Sequence, residues 1–225
     1  MTMQRIADVL AEMSANPIIC DLSDEMCHGI LVSNLAYRLG HELELPEEFC
    51  YQLALAGVVH DVGKLEIWQY LHRADAHHLE IEQTRYTRTH PTLGYLSLSK
   101  EGFDEDVCQM VLHHHENYDG SGYPDNLKGR SIPLGARILR VCDVFSALVS
   151  DRPYREAFRV EAAMELMVDE IKNFDMQIYL AFQRVVGDPS FDEIRELISQ
   201  YNEGYHRIRA LSRQAAAETK GEESV

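Results

Sequence analysis

The chain has 225 residues, 45% apolar and 26% charged, enough for one large domain whose core needs no disulfide staples. Its 37 acidic side chains against 21 basic ones leave a net charge of −16, which repels long polyanions and excludes non-specific nucleic-acid binding through clustered Lys and Arg. An anionic substrate therefore has to be small and held by local positive charge. Five cysteines (Cys20, Cys27, Cys50, Cys108 and Cys142) form no C-x-x-C pair, and no apolar run approaches the roughly 18 residues of a membrane span. Free thiols in a cytoplasmic protein are expected.

In chain order, residues 4–13 read as a short lead-in helix within an N-terminal segment 1–20. Asp21 or Ser23 caps a helix running to about Leu39, with Gly40 as its stop. Pro46 fits the first turn of the next helix, which reads through to His60. Residues 74–88 are polar and irregular, and Pro91 and Asp104 each open a further helix. Asn117–Pro133 is rich in Gly and Pro and reads as a loop. Helices over about 134–150, 160–172 and 175–186 follow. Pro189 or Ser190 starts a long polar helix reaching about residue 218. No stretch shows the alternation of a strand, so the expected class is all-α. The expected organisation is a compact bundle over 21–188, a long C-terminal helix over 189–219 and a disordered tail at 220–225. That helix carries Ile194, Leu197, Ile198, Tyr201, Tyr205, Ile208 and Leu211 on one side, for packing on the core or on a second copy in a homodimer.

The histidines carry the chemistry. His60-Asp61 ends the apolar run Leu53–Val59, and a charged Asp emerging from such a run is costly unless something pairs with it. A metal ion would serve. Asp24 and His28 continue as Leu31, Leu35 and Leu39 on one stripe; Val107 and Val111 lead to His114, with His115 beside it; Leu139 leads to Asp143; His90 precedes Pro91 at a helix start. Inward faces of several helices with His or Asp at one level can converge on a metal site. His41, His72, His77, His78, His113 and His206 read as surface or loop residues.

The order His60-Asp61-Val62-Gly63-Lys64, His90-Pro91, His114-His115-Glu116-Asn117-Tyr118-Asp119-Gly120-Ser121-Gly122-Tyr123-Pro124, Arg137-Ile138, Asp143 and Ser150-Asp151-Arg152-Pro153-Tyr154-Arg155 closely resembles the HD-GYP branch of the HD phosphohydrolases, from about Asp24 to Phe182. The resemblance implies an all-α HD-type bundle and a clustered metal site of His60, Asp61, His90, His114, His115 and Asp143, with Asp61 bridging two metals. His28 and Asp24 match upstream positions that help to hold a third; members often carry Glu where this chain has the shorter Asp24, so two divalent ions are expected. Imidazole and carboxylate ligands without thiolate suit iron, manganese, nickel or zinc, and the resemblance favours iron or manganese.

The activity implied is hydrolysis of cyclic di-GMP to linear pGpG, GMP or both, by a hydroxide that bridges the metals. Lys64 would contact phosphate or assist the leaving group, while Arg152 and Arg155 would bind phosphate or hold their own turn. Tyr123 would stack on a purine or anchor its loop. Glu116 and Asp119 would orient ligand histidines. The segment Leu65–Arg88 departs from the family pattern and offers Trp68, Tyr70 and Arg73 as rim residues. Two other readings are a phosphodiesterase for 3′,3′-cyclic GMP-AMP or another small phosphodiester, and a catalytically weak signalling module. With about 20 residues before Asp24, no fused sensory domain is expected, and any regulation would come through a separate partner.

Overall fold

The computed structural model describes residues 17–65, 67, 87–152 and 155–222; for 17–24, 208, 209 and 211–222 it describes the backbone alone. The lead-in helix at 4–13, the rim residues Trp68, Tyr70 and Arg73, and the side chain of Asp24 lie outside the described residues. So do His72, His77, His78, Pro153 and Tyr154.

Among the described residues eight α-helices follow one another: α1 (Pro17–Glu42), α2 (Glu47–Val59), α3 (His90–Lys100), α4 (Glu105–His113), α5 (Leu134–Val149), α6 (Val160–Asp169), α7 (Met176–Gly187) and α8 (Asp192–Glu222). Among the described residues the one β pairing is an isolated bridge between Arg152 and Arg155. The fold is all-α, as the sequence pattern predicts. No described helix is long and apolar enough to cross a membrane.

Helix α1 is the spine. Leu31, Leu35 and Leu39, the stripe below His28, are fully buried, and α1 packs along α2, α5, α7 and α8. Gly40 does not stop it. A Cβ there would lie 2.8 Å from Cys50 Sγ and 3.0 Å from a Leu53 methyl, so Gly40 lets α2 approach while the helix runs on to Glu42. The chain turns instead at Glu44, whose φ is 54°. At the other end of the α1–α2 contact a Cβ on Gly57 would meet the Ser33 backbone at 2.7 Å.

Helix α5 crosses the centre with Ile138, Leu139, Val141, Cys142 and Phe145 buried. Phe145 meets Phe182 and Phe191 edge-on at 5.1 and 6.1 Å. The apolar stripe of α8 packs on this same core: Ile194, Ile198, Tyr201 and Tyr205 are buried in the chain itself. The helix extends to Glu222, beyond the end near 218 read from the sequence and into the stretch expected to be a disordered tail. Its polar C-terminal residues continue the hydrogen-bonded spiral.

Candidate metal centre

Three helix ends and the middle of a fourth helix meet at one level. Helix α2 stops at Val59, and the chain then tightens into successive i→i+3 turns, Val62 N–H donating to Val59 O (3.0 Å), Lys64 to Asp61 (2.9 Å) and Leu65 to Val62 (3.1 Å). This tightening keeps His60, Asp61 and Lys64 on one side. Helix α3 starts at His90, helix α4 ends just before His114, and Asp143 lies mid-way along α5. Two donor groups result: Asp61 with His90, His114 and His115, and His28 with His60 and Asp143, the ligand atoms within each lying within 4.8 Å of one another.

The two carboxylates span the groups. Oδ1 of Asp61 lies 3.0 Å from His90 Nε2 and 3.9 Å from His114 Nε2, while its Oδ2 lies 3.2 Å from His60 Nε2. Oδ1 of Asp143 lies 3.0 Å from His28 Nε2 and 3.8 Å from His60 Nε2, and its Oδ2 lies 4.0 Å from His115 Nδ1.

Backbone carbonyls fix the imidazoles. Nδ1 of His60, His90 and His114 lies 2.8, 2.5 and 2.6 Å from the carbonyl oxygens of Gly57, Thr87 and Val111, in each case three residues earlier. An Nδ1–H donated this way leaves Nε2 as the lone-pair nitrogen facing the cluster.

The donor set fits divalent cations. His90 Nε2 and His114 Nε2 face each other at 3.2 Å, which for two lone pairs is repulsive unless a cation lies between them. His60 Nε2 and Asp61 Oδ1 are buried with no hydrogen bond of acceptable geometry, a cost that coordination removes. Burial and the neighbouring His115, His60 and His90 hold His114 well below the usual imidazole range. Burial opposes a charge on His60, but Asp61 and Asp143 outweigh it and raise the group to about 9. Burial likewise works against the charges of Asp61 and Asp143. His60 and Lys64 outweigh it at the first, His28 and His60 at the second, and both carboxyls stay well below their normal range. Two buried carboxylates set among clustered imidazoles form a site that attracts positive charge.

A cavity of about 400 Å³ opens beside the cluster, lined by His28, Asp61, Lys64, His115, Arg140, Asp143, Arg152 and Arg155 among others. Its volume falls within the range of small-ligand sites. Lys64 Nζ donates to Asp61 Oδ2 at 2.6 Å and to both oxygens of Glu25 at 3.1 Å. Glu25, one residue after Asp24, thus brings a carboxylate from α1 to Lys64. Burial and the Asp61 charge push it up to about 7 against the pull of Lys64.

Other sequence-predicted residues sit differently. Arg155 uses its guanidinium on the carbonyls of Ala147, Leu148 and Glu156, two of them open acceptors at the C-terminus of α5, so it caps that helix at the cavity edge. Tyr123 stacks on His115 at 4.8 Å and 27°, with the Arg88 guanidinium 5.4 Å from its ring centre; it anchors its loop against a ligand-type histidine. Glu116 and Asp119 do not reach the clustered histidines. Glu116 accepts from Asp125 N–H (2.7 Å) and Asp119 from the Ser121 N–H (2.9 Å) and hydroxyl (2.6 Å), because the loop turns back on itself there. His113 is buried rather than exposed, with its Nε2 3.1 Å from Gln109 Oε1. His206, exposed as expected, lies 3.1 Å from Asp151 Oδ2. The sequence reading missed Glu25 and Arg140. Arg140 was legible as the residue three before Asp143 on one helix, hence on the same face.

A family model described as "HD domain" matches residues 3–178. The chain is 35% identical over 161 residues to the cyclic di-GMP phosphodiesterase PA4108 of Pseudomonas aeruginosa, covering 71% of this chain and 39% of that protein. It is 42% identical over 135 residues to the cyclic di-GMP phosphodiesterase response regulator RpfG of Xanthomonas campestris, covering 59% and 35%. It is 33% identical over 175 residues to the 3′3′-cGAMP-specific phosphodiesterase 1 of Vibrio cholerae, covering 76% and 40%. The chain therefore spans about two fifths of the length of these relatives. Among solved structures, a cyclic GMP-AMP specific phosphodiesterase of V. cholerae superposes with a TM-score of 0.58 at 20% identity, covering 92% of this chain and 54% of that one. Likeness at that identity shows the shared fold.

Proposed function

Because this chain belongs to the HD domain family, we propose that it is a metal-dependent phosphodiesterase of the HD-GYP type that hydrolyses cyclic di-GMP to linear pGpG, GMP or both. The observation that carries the reading is Asp61, whose two oxygens face different histidines, Oδ1 towards His90 and His114 and Oδ2 towards His60, at the floor of a cavity walled by cations.

Two metal ions, iron or manganese, would be held by His60, Asp61, His90, His114, His115 and Asp143, with His28 on the Asp143 side. When bound they supply Lewis-acid stabilisation of phosphoryl charge and a nucleophilic water at neutral pH. The chain's own residues do the rest. The Gly57, Thr87 and Val111 carbonyls fix the imidazole rings, so the donors are pre-arranged. Lys64 balances the negative charge of Asp61 and reaches the cavity, where its ammonium faces the phosphodiester. Arg152, which lines the same cavity, offers a planar fork to phosphate oxygens. Arg155 caps α5 and fixes the turn that presents Arg152.

A second reading, preference for 3′,3′-cyclic GMP-AMP, is favoured by the similarity to the V. cholerae relative named for that substrate. Parallel progress curves on the two cyclic dinucleotides, using protein loaded without oxygen with iron or manganese, decide between them. Faster cleavage of cyclic di-GMP is the expected result. Faster cleavage of the hybrid would transfer the assignment, and cleavage of neither by fully metallated protein would remove both.

A further inference from the structure

Four cationic side chains line the cavity: Lys64, Arg140, Arg152 and Arg155. Their donors are used differently. Lys64 already donates to Asp61 and Glu25, and Arg155 to three carbonyls. Arg140 is half-buried on α5, one turn before Asp143, so the two side chains emerge on the same face. Its Nε donates to Asn117 Oδ1 at 3.1 Å. Its two Nη atoms, four N–H donors, make no hydrogen bond or ion pair among the described residues.

This arrangement differs from that of Arg137 on the same helix, whose Nη1 is 2.6 Å from Asp175 Oδ2 and whose Nε donates to Ile132 O. Arg137 is a strut. Arg140 is anchored at one edge only, and Asn117, at the start of the loop after α4, fixes the plane of the guanidinium. The open edge belongs to the same cavity as Asp61, His115 and Asp143. A half-buried guanidinium with unused parallel donors beside a candidate metal cluster suits an anion with two oxygens on one atom, a geometry that a phosphodiester offers.

We propose that Arg140 is a phosphate-binding, specificity-determining residue of this site, its free Nη edge gripping the non-bridging oxygens of a substrate phosphate, with Asn117 as the residue that positions it. The inference rests on the cyclic dinucleotide reading for the identity of the substrate, not for the phosphate contact. It predicts a preference for ligands that bring a phosphate into the cavity over ligands that bring only a base and a sugar.

The test is equilibrium binding by calorimetry to the full, metal-loaded chain, with inorganic phosphate, GMP and guanosine as probes. Metal content is measured first for wild type, Arg140→Ala, Arg140→Lys and Asn117→Ala. Arg140→Ala is expected to weaken phosphate and GMP by roughly 10-fold or more and leave guanosine unchanged. Arg140→Lys recovers part of the loss, and Asn117→Ala gives a smaller loss of the same pattern. Unchanged phosphate affinity in Arg140→Ala would overturn the proposal. So would an equal loss for guanosine, which would mark a base contact or a structural role. If Arg140→Ala sheds metal, Arg140→Gln, which keeps a polar hydrogen-bonding group but removes the guanidinium charge, carries the same comparison with the same two outcomes. Failure of the cyclic di-GMP reading registers separately, as absence of turnover by a wild type that still binds phosphate through Arg140.

Discussion

The Lys64 ammonium lies 2.6 Å from Oδ2 of Asp61, the carboxylate whose two oxygens face both histidine groups. Burial opposes the lysine charge, yet Asp61 and Glu25 outweigh it and hold the ammonium above its usual range. Lys64 therefore stays protonated throughout the neutral region and is a fixed positive charge on the cavity wall. Lys64→Ala should retain the metal content of wild type while lowering turnover on the order of 100-fold, the usual cost of removing one group that stabilises developing charge. Elemental analysis beside turnover checks this. Joint loss of metal and activity would instead make Lys64 a holder of Asp61.

Gly63 permits the contact between the Asp61 turn and the start of α3. A Cβ there would fall 2.1 Å from His90 O and 2.6 Å from Gly94 N, both backbone atoms that cannot swing aside. Gly63→Ala should push His90 away from Asp61 and lower metal capacity, with helix content by circular dichroism largely kept. Gly187→Ala, whose Cβ would meet nothing within 4 Å, is the matched control and should leave metal content unchanged.

Helix α8 lies beyond the residues matched by the family model, yet it braces the turn carrying Arg152. Asn202 Nδ2 donates to Val149 O (3.1 Å) and its Oδ1 accepts from Asp151 N–H (2.9 Å). Asn202→Ala strands both backbone groups at a cost of about 1–3 kcal/mol, a fall in Tm of a few degrees for a chain of this size. The Michaelis constant should rise because Arg152 loses its fixed position, with the turnover number less affected. An unchanged Michaelis constant at a lowered Tm would confine Asn202 to stability.

Tyr37 ties α1 to α2 through its hydroxyl, which donates to Glu47 Oε1 at 2.8 Å. The bond holds the Glu47 carboxyl below its ordinary value and pushes the Tyr37 phenol up to about 12. A depressed carboxyl contributes stability above its unfolded pKa, and that contribution fades as pH falls through the folded value. Tyr37→Phe should return the Glu47 titration towards normal in an NMR pH series, with a small effect on stability because both groups are exposed. An unmoved Glu47 titration would assign its shift to His41, which lies 3.2 Å from Oε2.

The clustered histidines and aspartates were legible because most lie on or beside an apolar helical face, His90 lies at a helix start, and the motif order resembling the HD-GYP branch picked out the ligand set. Leu31, Leu35 and Leu39 below His28 are the clearest case. Other features depended on information the stripe does not hold. Asp24 and Glu25 precede His28 by four and three residues, and both spacings share a helical face, so the pattern alone could not select Glu25 as the partner of Lys64. The acceptors that orient His60, His90 and His114 are main-chain carbonyls, which no residue type announces. Arg155 looked like Arg152, two cations in one turn, and only the open end of α5 marks Arg155 as the capping arginine. Gly40 looked like a helix stop because its smallness has two uses, and here close packing against Cys50 prevails over the turn.

The central claim is that Asp61 joins two donor groups into one hydrolytic metal centre. The most direct measurement loads wild type and Asp61→Asn with iron or manganese without oxygen, determines bound metal, and follows cyclic di-GMP by chromatography. Linear pGpG or GMP is expected from the wild type, and depleted metal with no product from Asp61→Asn. Full turnover by Asp61→Asn stripped of metal would contradict it.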